Sequence, residues 1–579
     1  MSLLTVAWAP SGRLELVADL PAAERASARA GYLSMSARIG AARCGGRTLR
    51  EDAGGELASF WWYHPVSFKD CEDDPAFGRF LELHAVLRAA AAAGASRLRL
   101  VGAPRELARV LRGRFSVEEE SPRFRAPEAW WWLRALASRA AGLCEALADV
   151  AACALAGRPA APEGRPVLLG YWDWSLDASG DRYFKALPSE LAARGAAPVR
   201  LCRLEARGSR FGAARRAARA GVLLAQSFLD PGDALEAALE LRPFSAYLRR
   251  RHDPSFRAAF AWDGLDLFPF FEERLLRGFL DGGIPRCLLL ERATRRACAA
   301  LRPTAVVSFL EHFPHARAAY AGARAAGART ACVQHASYGT EKTFLFLDPA
   351  VEFRGEPDGL GAPVPDLAFA MGTLGRDHFL ACGYEAARVR LTGSPRYDHL
   401  RLSPPKRRAG PGARVLLAPS FDLAAEAPML AAACAASDGL AGVELRLRDH
   451  PVARLSETAA YDDSRGRVPL STGTLAEDLA WADAVLFVSS TVAEEAVLAG
   501  VPAWQWRPSG PDAAALPEAA AVPRFSSVAA LREALASFAP GRGLPDEAAR
   551  ARVVERLFFK ADGGAAARVA AEIVEWPLP

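Results

Sequence analysis

Four short apolar runs between Thr304 and Tyr397 set the reading of this chain: Val306 to Leu310, Thr330 to Val333, Leu367 to Met371 and Val389 to Leu391. Each empties into a polar, Gly-containing turn, and helical periods separate them. Short apolar runs in this rhythm predict buried parallel strands of an α/β fold. The rhythm first opens at Pro166. Val167 to Tyr171 reads as a strand, Trp172 to Asp181 as a polar turn, Tyr183 to Arg194 as a helix closed by Gly195, and Pro198 to Leu204 as the next strand. It opens again after SPPKRRAGPG (Ser403 to Gly412), with strands at Ala413 to Pro419, Val443 to Leu447 and Ala484 to Val488. The C-terminal stretches Val528 to Phe538 and Asp546 to Phe559 are helical by period.

The first part of the chain is expected to form its own α/β unit, with strands at Leu3 to Ala7 and Arg99 to Val101 and a helix from Pro104 to Gly113. Between them, Phe60-Trp61-Trp62-Tyr63-His64-Pro65 reads as a core strand with a turn; the alternative is an aromatic face for a sugar acceptor. Glu128 to Gly157 reads as one long helix. Trp130, Leu133, Ala137, Ala141, Cys144, Leu147, Ala151 and Leu155 fall on one stripe, and Arg134, Ser138, Glu145 and Asp149 on another. The expected division is 1–125, an α/β accessory unit; 126–165, amphipathic helix and linker; 166–402, a Rossmann-like acceptor-side domain; 403–412, a linker; and 413–579, a Rossmann-like donor-side domain.

Composition narrows the function. The 579 residues are 51% hydrophobic and 24% charged, as in soluble globular proteins. A formal charge of +5 is too small to predict a nucleic-acid partner. Ten scattered cysteines without a C-x-x-C pair predict reduced thiols and a cytoplasmic setting. No N-terminal signal pattern and no charge-free apolar window of about 18–20 residues is present, so no transmembrane helix is expected. The three tryptophans Trp130 to Trp132 allow a peripheral contact with the inner membrane, or packing of the helix on its own domain.

Candidate chemistry collects at strand ends, where open α/β folds bind ligands. Six of the nine histidines lie between His312 and His450. Gln334-His335 follows one predicted strand and Glu311 ends another; each is a candidate base for a hydroxyl proton. Lys342, one of five lysines, lies in the same loop as His335. Ser394 and Arg396 sit where the last strand of the first half ends. In the second half, Arg448-Asp449-His450-Pro451 follows a strand, and Ser489-Ser490-Thr491 opens a helix whose first turn carries Glu494 and Glu495. Hydroxyls and free amides at a helix start make an anion site, and Glu494 could meet a ribose. With that positive end available and no convincing D-x-D, neither metal nor cofactor is expected.

The ordered set QH-x3-G-x2-K, GSPRYD, RDHP and SST-x2-EE-x4-G-x-P resembles bacterial glycosyltransferases of the GT-B type that build capsule and other surface polysaccharides. The R-D-H-P and paired-hydroxyl motifs are similar to those of enzymes using cytidine-activated donors: sialyltransferases, Kdo transferases and CDP-glycerol polymerases. With its Trp61-Trp62 pair and Trp-rich helix, the whole chain also resembles surface carbohydrate (O-antigen) biosynthesis proteins. The resemblance implies two Rossmann-like domains with a facing cleft, a nucleotide-sugar donor, and a glycan or lipid-linked glycan acceptor. It implies that His450, Ser489, Ser490 and Thr491 bind the donor phosphate, with Arg448 beside them, and that Glu494 contacts the nucleotide. The acidic D/E-D/E-G motif of several sialyltransferases is missing, since Asp422 and Asp73-Asp74 do not match it, and Ala336 stands where related proteins often have glycine. A nucleotide-sugar 2-epimerase and a non-catalytic glycan-binding protein are the alternatives on this architecture.

Overall fold

The computed structural model describes residues 2–576 except 10–12, 71–74, 161–163, 172–180, 206–207, 406–411, 508 and 540–541. The predicted polar turn at 172–180, the centre of the 403–412 stretch and the Asp73-Asp74 pair therefore lie outside the described residues.

Three parallel sheets organise the chain. The first contains β1 (Ser2–Ala7), β2 (Ala95–Val101) and β3 (Ser116–Glu120), in that order. The second is built from β4 (Arg165–Tyr171), β5 (Ala196–Cys202), β6 (Leu223–Leu224), β7 (Ala305–Ser308), β8 (Arg329–Val333), β9 (Leu367–Ala370) and β10 (Val389–Leu391). Its strand order is β10-β9-β8-β7-β4-β5-β6, all parallel. The third comprises β11 (Ala413–Ala418), β12 (Val443–Leu447), β13 (Ala484–Phe487), β14 (Ala503–Trp506) and β15 (Arg524–Phe525), ordered β12-β11-β13-β14-β15. Every residue of β7, β9 and β13 is buried, as sheets covered on both faces require. The second and third sheets are the two Rossmann-like, GT-B-like halves that the sequence predicts. Each reverses its direction of growth once, at β4/β7 and at β11/β13, and such switch points open a crevice at the strands' carboxyl ends.

Local departures from the predicted elements have visible causes. The helix expected from Tyr183 spans only Leu187–Ala193, because the Asp181 carboxylate accepts the amides of Tyr183 (2.9 Å) and Phe184 (2.8 Å) and holds a turn there. Phe60–Tyr63 is a 3-10 turn, not a strand. Ser59 Oγ accepts from Trp61 N, and His64 Nδ1 accepts from Val66 N to start the next helical turn. Trp61 and Trp62 are 0% exposed, which leaves no aromatic face for a sugar. A Cβ on Gly40 would lie 2.4 Å from the Trp61 indole nitrogen, so only glycine fits there. A final helix, Ala565–Glu575, was not anticipated. Asp398 of GSPRYD accepts the amides of Ala565 (2.8 Å) and Ala566 (2.9 Å), and Arg390 meets Glu572 (3.0 Å), so this helix packs on the second sheet's side.

One continuous core runs from Val6 through the second sheet to Ile573, while the third sheet has a core of its own. The N-terminal segment also reaches the third sheet's half. Arg25 grips Glu341 with both arms of its guanidinium (2.7 and 2.6 Å) and donates to the Gly510 carbonyl (2.8 Å). Glu341 in turn accepts the Asp512 amide (2.7 Å), and Arg13 pairs with Asp422 (2.7 Å). Removing one partner of a buried pair strands the other charge, at a cost of about 3–5 kcal/mol. Arg25→Ala and Glu341→Ala should each lose stability on that scale in denaturant titrations. The double variant should lose much less than the sum, whereas additivity would show that the two side chains do not act as a pair.

Candidate functional site

The first wall forms where β7 and β8 end. His335 Nδ1 lies 2.8 Å from the Phe309 carbonyl oxygen, so that nitrogen carries the proton and Nε2 the lone pair. The Tyr338 hydroxyl stands 3.3 Å from each ring nitrogen and can donate only to Nε2. Tyr183 stacks on Phe309 (centroids 3.9 Å apart) and meets the His335 ring edge-on. Burial, with the Arg396 cation adding to it, pushes the imidazole down to about 3, so it is neutral at physiological pH. Arg396 itself lies over the Tyr183 and Tyr397 rings and 3.5 Å from the His335 carbonyl oxygen.

Glu311 sits just beyond β7, beside the switch point. Its side chain is fully buried, and neither carboxyl oxygen has a well-formed hydrogen bond. Burial pushes the carboxyl up to about 8. Near neutrality it holds a proton and can donate; to act as the predicted base it must first ionise.

The second wall is the β11/β13 switch point. Ser489 Oγ lies 2.8 Å from Ser420 Oγ, bridging the ends of the two strands, and Ser420 is anchored on Glu426 through its amide (2.8 Å) and hydroxyl (2.6 Å). The hydroxyls of the SST motif cap the helix Val492–Leu498 weakly. Thr491 already has helical dihedrals and makes no capping bond, and Ser490 Oγ accepts from Val492 N at 3.4 Å. Phe421, next to Ser420, meets the His450 ring edge-on (6.0 Å), which places His450 near the same switch point. His450 Nδ1 accepts the amides of Val452 (3.3 Å) and Ala453 (3.2 Å), so its proton resides on Nε2, where it can be given to an anion.

The two walls touch. The Ser337 hydroxyl donates to Glu494, which is buried and raised to about 8 by that burial. Glu495 meets His399 (3.6 Å), and the Thr491 hydroxyl is turned toward Tyr397. The predicted residues Glu311, His335, Arg396, Ser489, Thr491 and Glu494 thus come together, with His450 linked through Phe421. Others are used elsewhere. Arg448 is spent on the buried Asp478 (2.6 Å) and the Gly473 carbonyl (2.9 Å). Gln334 accepts the Met371 amide inside the fold. Lys342 lies over the Phe344 ring (5.6 Å), and Ser394 is buried with an unpartnered hydroxyl. Sequence reasoning missed Tyr183, Phe309, Ser337, Tyr338 and Ser420. Ser420, directly after a predicted opening strand, and Ser337 and Tyr338, in the loop after another, carried the strand-end signal.

No protein-family model and no curated protein matches this chain. Solved structures do resemble it. A UDP-GlcNAc 2-epimerase from Neisseria meningitidis bound to UDP-GlcNAc is 10% identical, over 71% of this chain and 100% of that one, with a TM-score of 0.40. The S. aureus MnaA–UDP structure is 12% identical over 71% and 96% of the two chains, TM-score 0.39. The lipopolysaccharide outer core galactosyltransferase WaaB is 10% identical over 70% and 98%, TM-score 0.38.

The titration of Glu311 is open to measurement. A carboxyl at about 8 when folded, against an ordinary 4.5, binds more protons folded than unfolded between those values. Stability then falls as pH rises through that window, by about 1.4 kcal/mol per pH unit for each such group. Melting curves of Glu311→Gln should therefore decline less steeply than wild type between about pH 5 and 8. Equal slopes would mean that Glu311 titrates as an ordinary carboxyl.

Proposed function

We propose that this chain is a metal-independent GT-B glycosyltransferase. It moves a sugar from a nucleotide-activated donor, of cytidine type, onto a surface-polysaccharide or lipid-linked glycan acceptor in the bacterial cytoplasm. The second sheet's half takes the acceptor and the third sheet's half the donor. A peripheral inner-membrane contact through the Trp130–Trp132 helix is part of the same proposal. The Ser337–Glu494 hydrogen bond supports it most directly, because it sets the carboxyl ends of the two sheets against each other.

In this reading the acceptor hydroxyl lies against Glu311 and His335. A base works best with a pKa near the operating pH, so ionised Glu311 takes the proton, and His335 Nε2 with the Tyr338 hydroxyl orients the acceptor. The glycosidic bond to the donor phosphate breaks as the acceptor oxygen attacks. Charge grows on the phosphate, where the His450 Nε2–H and Arg396 stabilise it, joined by the Ser489 hydroxyl once it turns from Ser420 to donate.

One observation favours a second reading. Glu311 and Glu494 stand on facing walls and are both raised to about 8 by burial, so one ionised and one protonated carboxyl would supply the base and the acid of an isomerisation at C2 of the donor sugar.

The nucleotide comes first. Thermal-shift titration with CMP, CDP, UDP and GDP should single out a cytidine nucleotide, with about 2.7 kcal/mol of stabilisation at about 100 Kd. With that donor, His450→Ala should lower turnover about 100-fold or more at unchanged melting temperature. The wild-type rate should rise with pH toward about 8 as Glu311 ionises. Wild-type turnover by His450→Ala would exclude the assigned phosphate contact, and donor isomerisation without acceptor would establish the second reading.

A further inference from the structure

The helix Glu128–Ala156 presents its apolar stripe outward. Trp130, Leu133, Ala137, Ala141, Cys144, Leu147, Ala151 and Leu155 are all exposed, Leu133 to 56% and Leu155 to 78%. The side turned to the protein buries Trp131, Ala135, Arg139, Asp149, Val150, Ala152 and Cys153. Of the three tryptophans expected at a membrane, Trp131 is buried under Arg125, and Trp132 packs on Phe244 and donates to Glu128. Only Trp130 faces out, at 48%.

Two neighbouring helices extend this surface. Pro231–Leu239 is held alongside by Arg139, which donates to the Ala238 and Glu240 carbonyls, and it exposes Leu235 (50%) and Leu239 (66%). Arg210–Arg219 is held by the Arg210–Asp149 ion pair and exposes Phe211, Arg215, Arg216 and Arg219. The charge on this side is unbalanced. Glu128, Glu145, Asp149, Asp233, Glu236 and Glu240 are each paired with an arginine. Arg134, Arg215, Arg216 and Arg219 are exposed and make no ion pair among the described residues.

We infer that this face docks on the surface of an anionic phospholipid bilayer. The apolar stripe enters the boundary between headgroups and acyl chains, and the unpaired arginines meet the phosphates. The helix, about 43 Å long at 1.5 Å per residue, lies along the surface, since no helix among the described residues is long and apolar enough to cross. Apolar burial combined with attraction between arginines and anionic lipids is how such interfacial helices bind. A second copy of this chain fits less well, because among the described residues the face offers no unpaired acidic side chain to meet the surplus arginines. This inference extends the proposed membrane contact and is independent of the transfer chemistry, because vesicle binding needs neither donor nor turnover.

Co-sedimentation of the full chain with vesicles tests it. The protein should bind mixed phosphatidylcholine–phosphatidylglycerol vesicles, bind pure phosphatidylcholine weakly, and lose binding as salt is raised. Leu133→Glu/Leu147→Glu should lower the partition coefficient at least about tenfold, and Arg215→Glu/Arg216→Glu/Arg219→Glu should do so by about 100-fold. All five positions are exposed, so both variants should melt with wild type. Failure to bind anionic vesicles, or binding that survives either variant, would overturn the inference. So would a wild-type dimer that Leu133→Glu/Leu147→Glu converts to monomer, seen by light scattering, without any vesicle binding.

Discussion

The placement of the site depends on a buried ion pair that ties Glu341, inside the QH-x3-G-x2-K loop, to Arg25, 316 positions upstream. Two Rossmann-like halves joined by one linker would ordinarily rock against each other. Here Arg25, from the N-terminal helix, holds Glu341 on the loop after β8 and the Gly510 carbonyl after β14, while Glu341 takes the Asp512 amide. Glu341 shares its loop with His335 and Ser337. Whatever fixes Glu341 therefore also fixes the imidazole and the hydroxyl that meets Glu494. The backbones approach closely at this point. Gly339 N donates to the Ala513 carbonyl (3.0 Å), and a Cβ on Gly339 would stand 2.4 Å from the Ala514 carbonyl oxygen. The N-terminal segment, whose core is continuous with the second sheet, thus works as a third body that holds the crevice in register.

That register creates an unusual electrostatic interior. Two carboxyls, Glu311 and Glu494, are raised to about 8 by burial, and His335 is depressed to about 3. All three are neutral near pH 7. Arg396 on one wall and His450, whose Nδ1 accepts the Val452 and Ala453 amides, on the other carry the N–H groups of the site. Burial removes the charged forms of the two carboxyls and the imidazole, whereas the Arg396 guanidinium keeps its charge against desolvation because Tyr397, Tyr183 and Glu495 lie beside it. A site of this kind accepts negative charge at little reorganisation cost, which is the demand a departing phosphate would make.

The strands were legible because buried parallel strands write themselves as unbroken apolar runs. β7, β8, β9, β11, β12 and β13 each begin or end within a residue or two of the predicted run. The carboxyl-end rule then located Glu311, His335, His450 and Ser489 without any knowledge of partners. Partners were what the sequence withheld. Nothing local marks Arg448 for Asp478, thirty positions on, or Gln334 for the Met371 amide. The aromatic run Phe60–Tyr63 looked like a strand because periodicity cannot distinguish a strand from a tight turn buried on all sides. The last helix was hidden because its N-terminal partner, Asp398, lies 167 positions upstream of Ala565.

The long helix makes the limit of hydrophobic patterning plain. Its most regular apolar stripe would, by periodicity alone, be assigned to the core, yet polar satisfaction decides how the helix is rotated. Arg139 donates to the carbonyls of Ala238 (2.7 Å), Leu280 (3.0 Å), Asp281 (3.3 Å) and Glu240 (2.6 Å), and Asp149 on the same side takes Arg210. Turning the stripe inward would strip four carbonyls of their donor and separate a buried carboxylate from its cation. Those losses, about 1–3 kcal/mol for each group left without its partner, together oppose what burying the stripe would return. Arg139 and Asp149 therefore commit the helix to show its apolar side, and the arginines of the adjoining helix set the charge of whatever covers it.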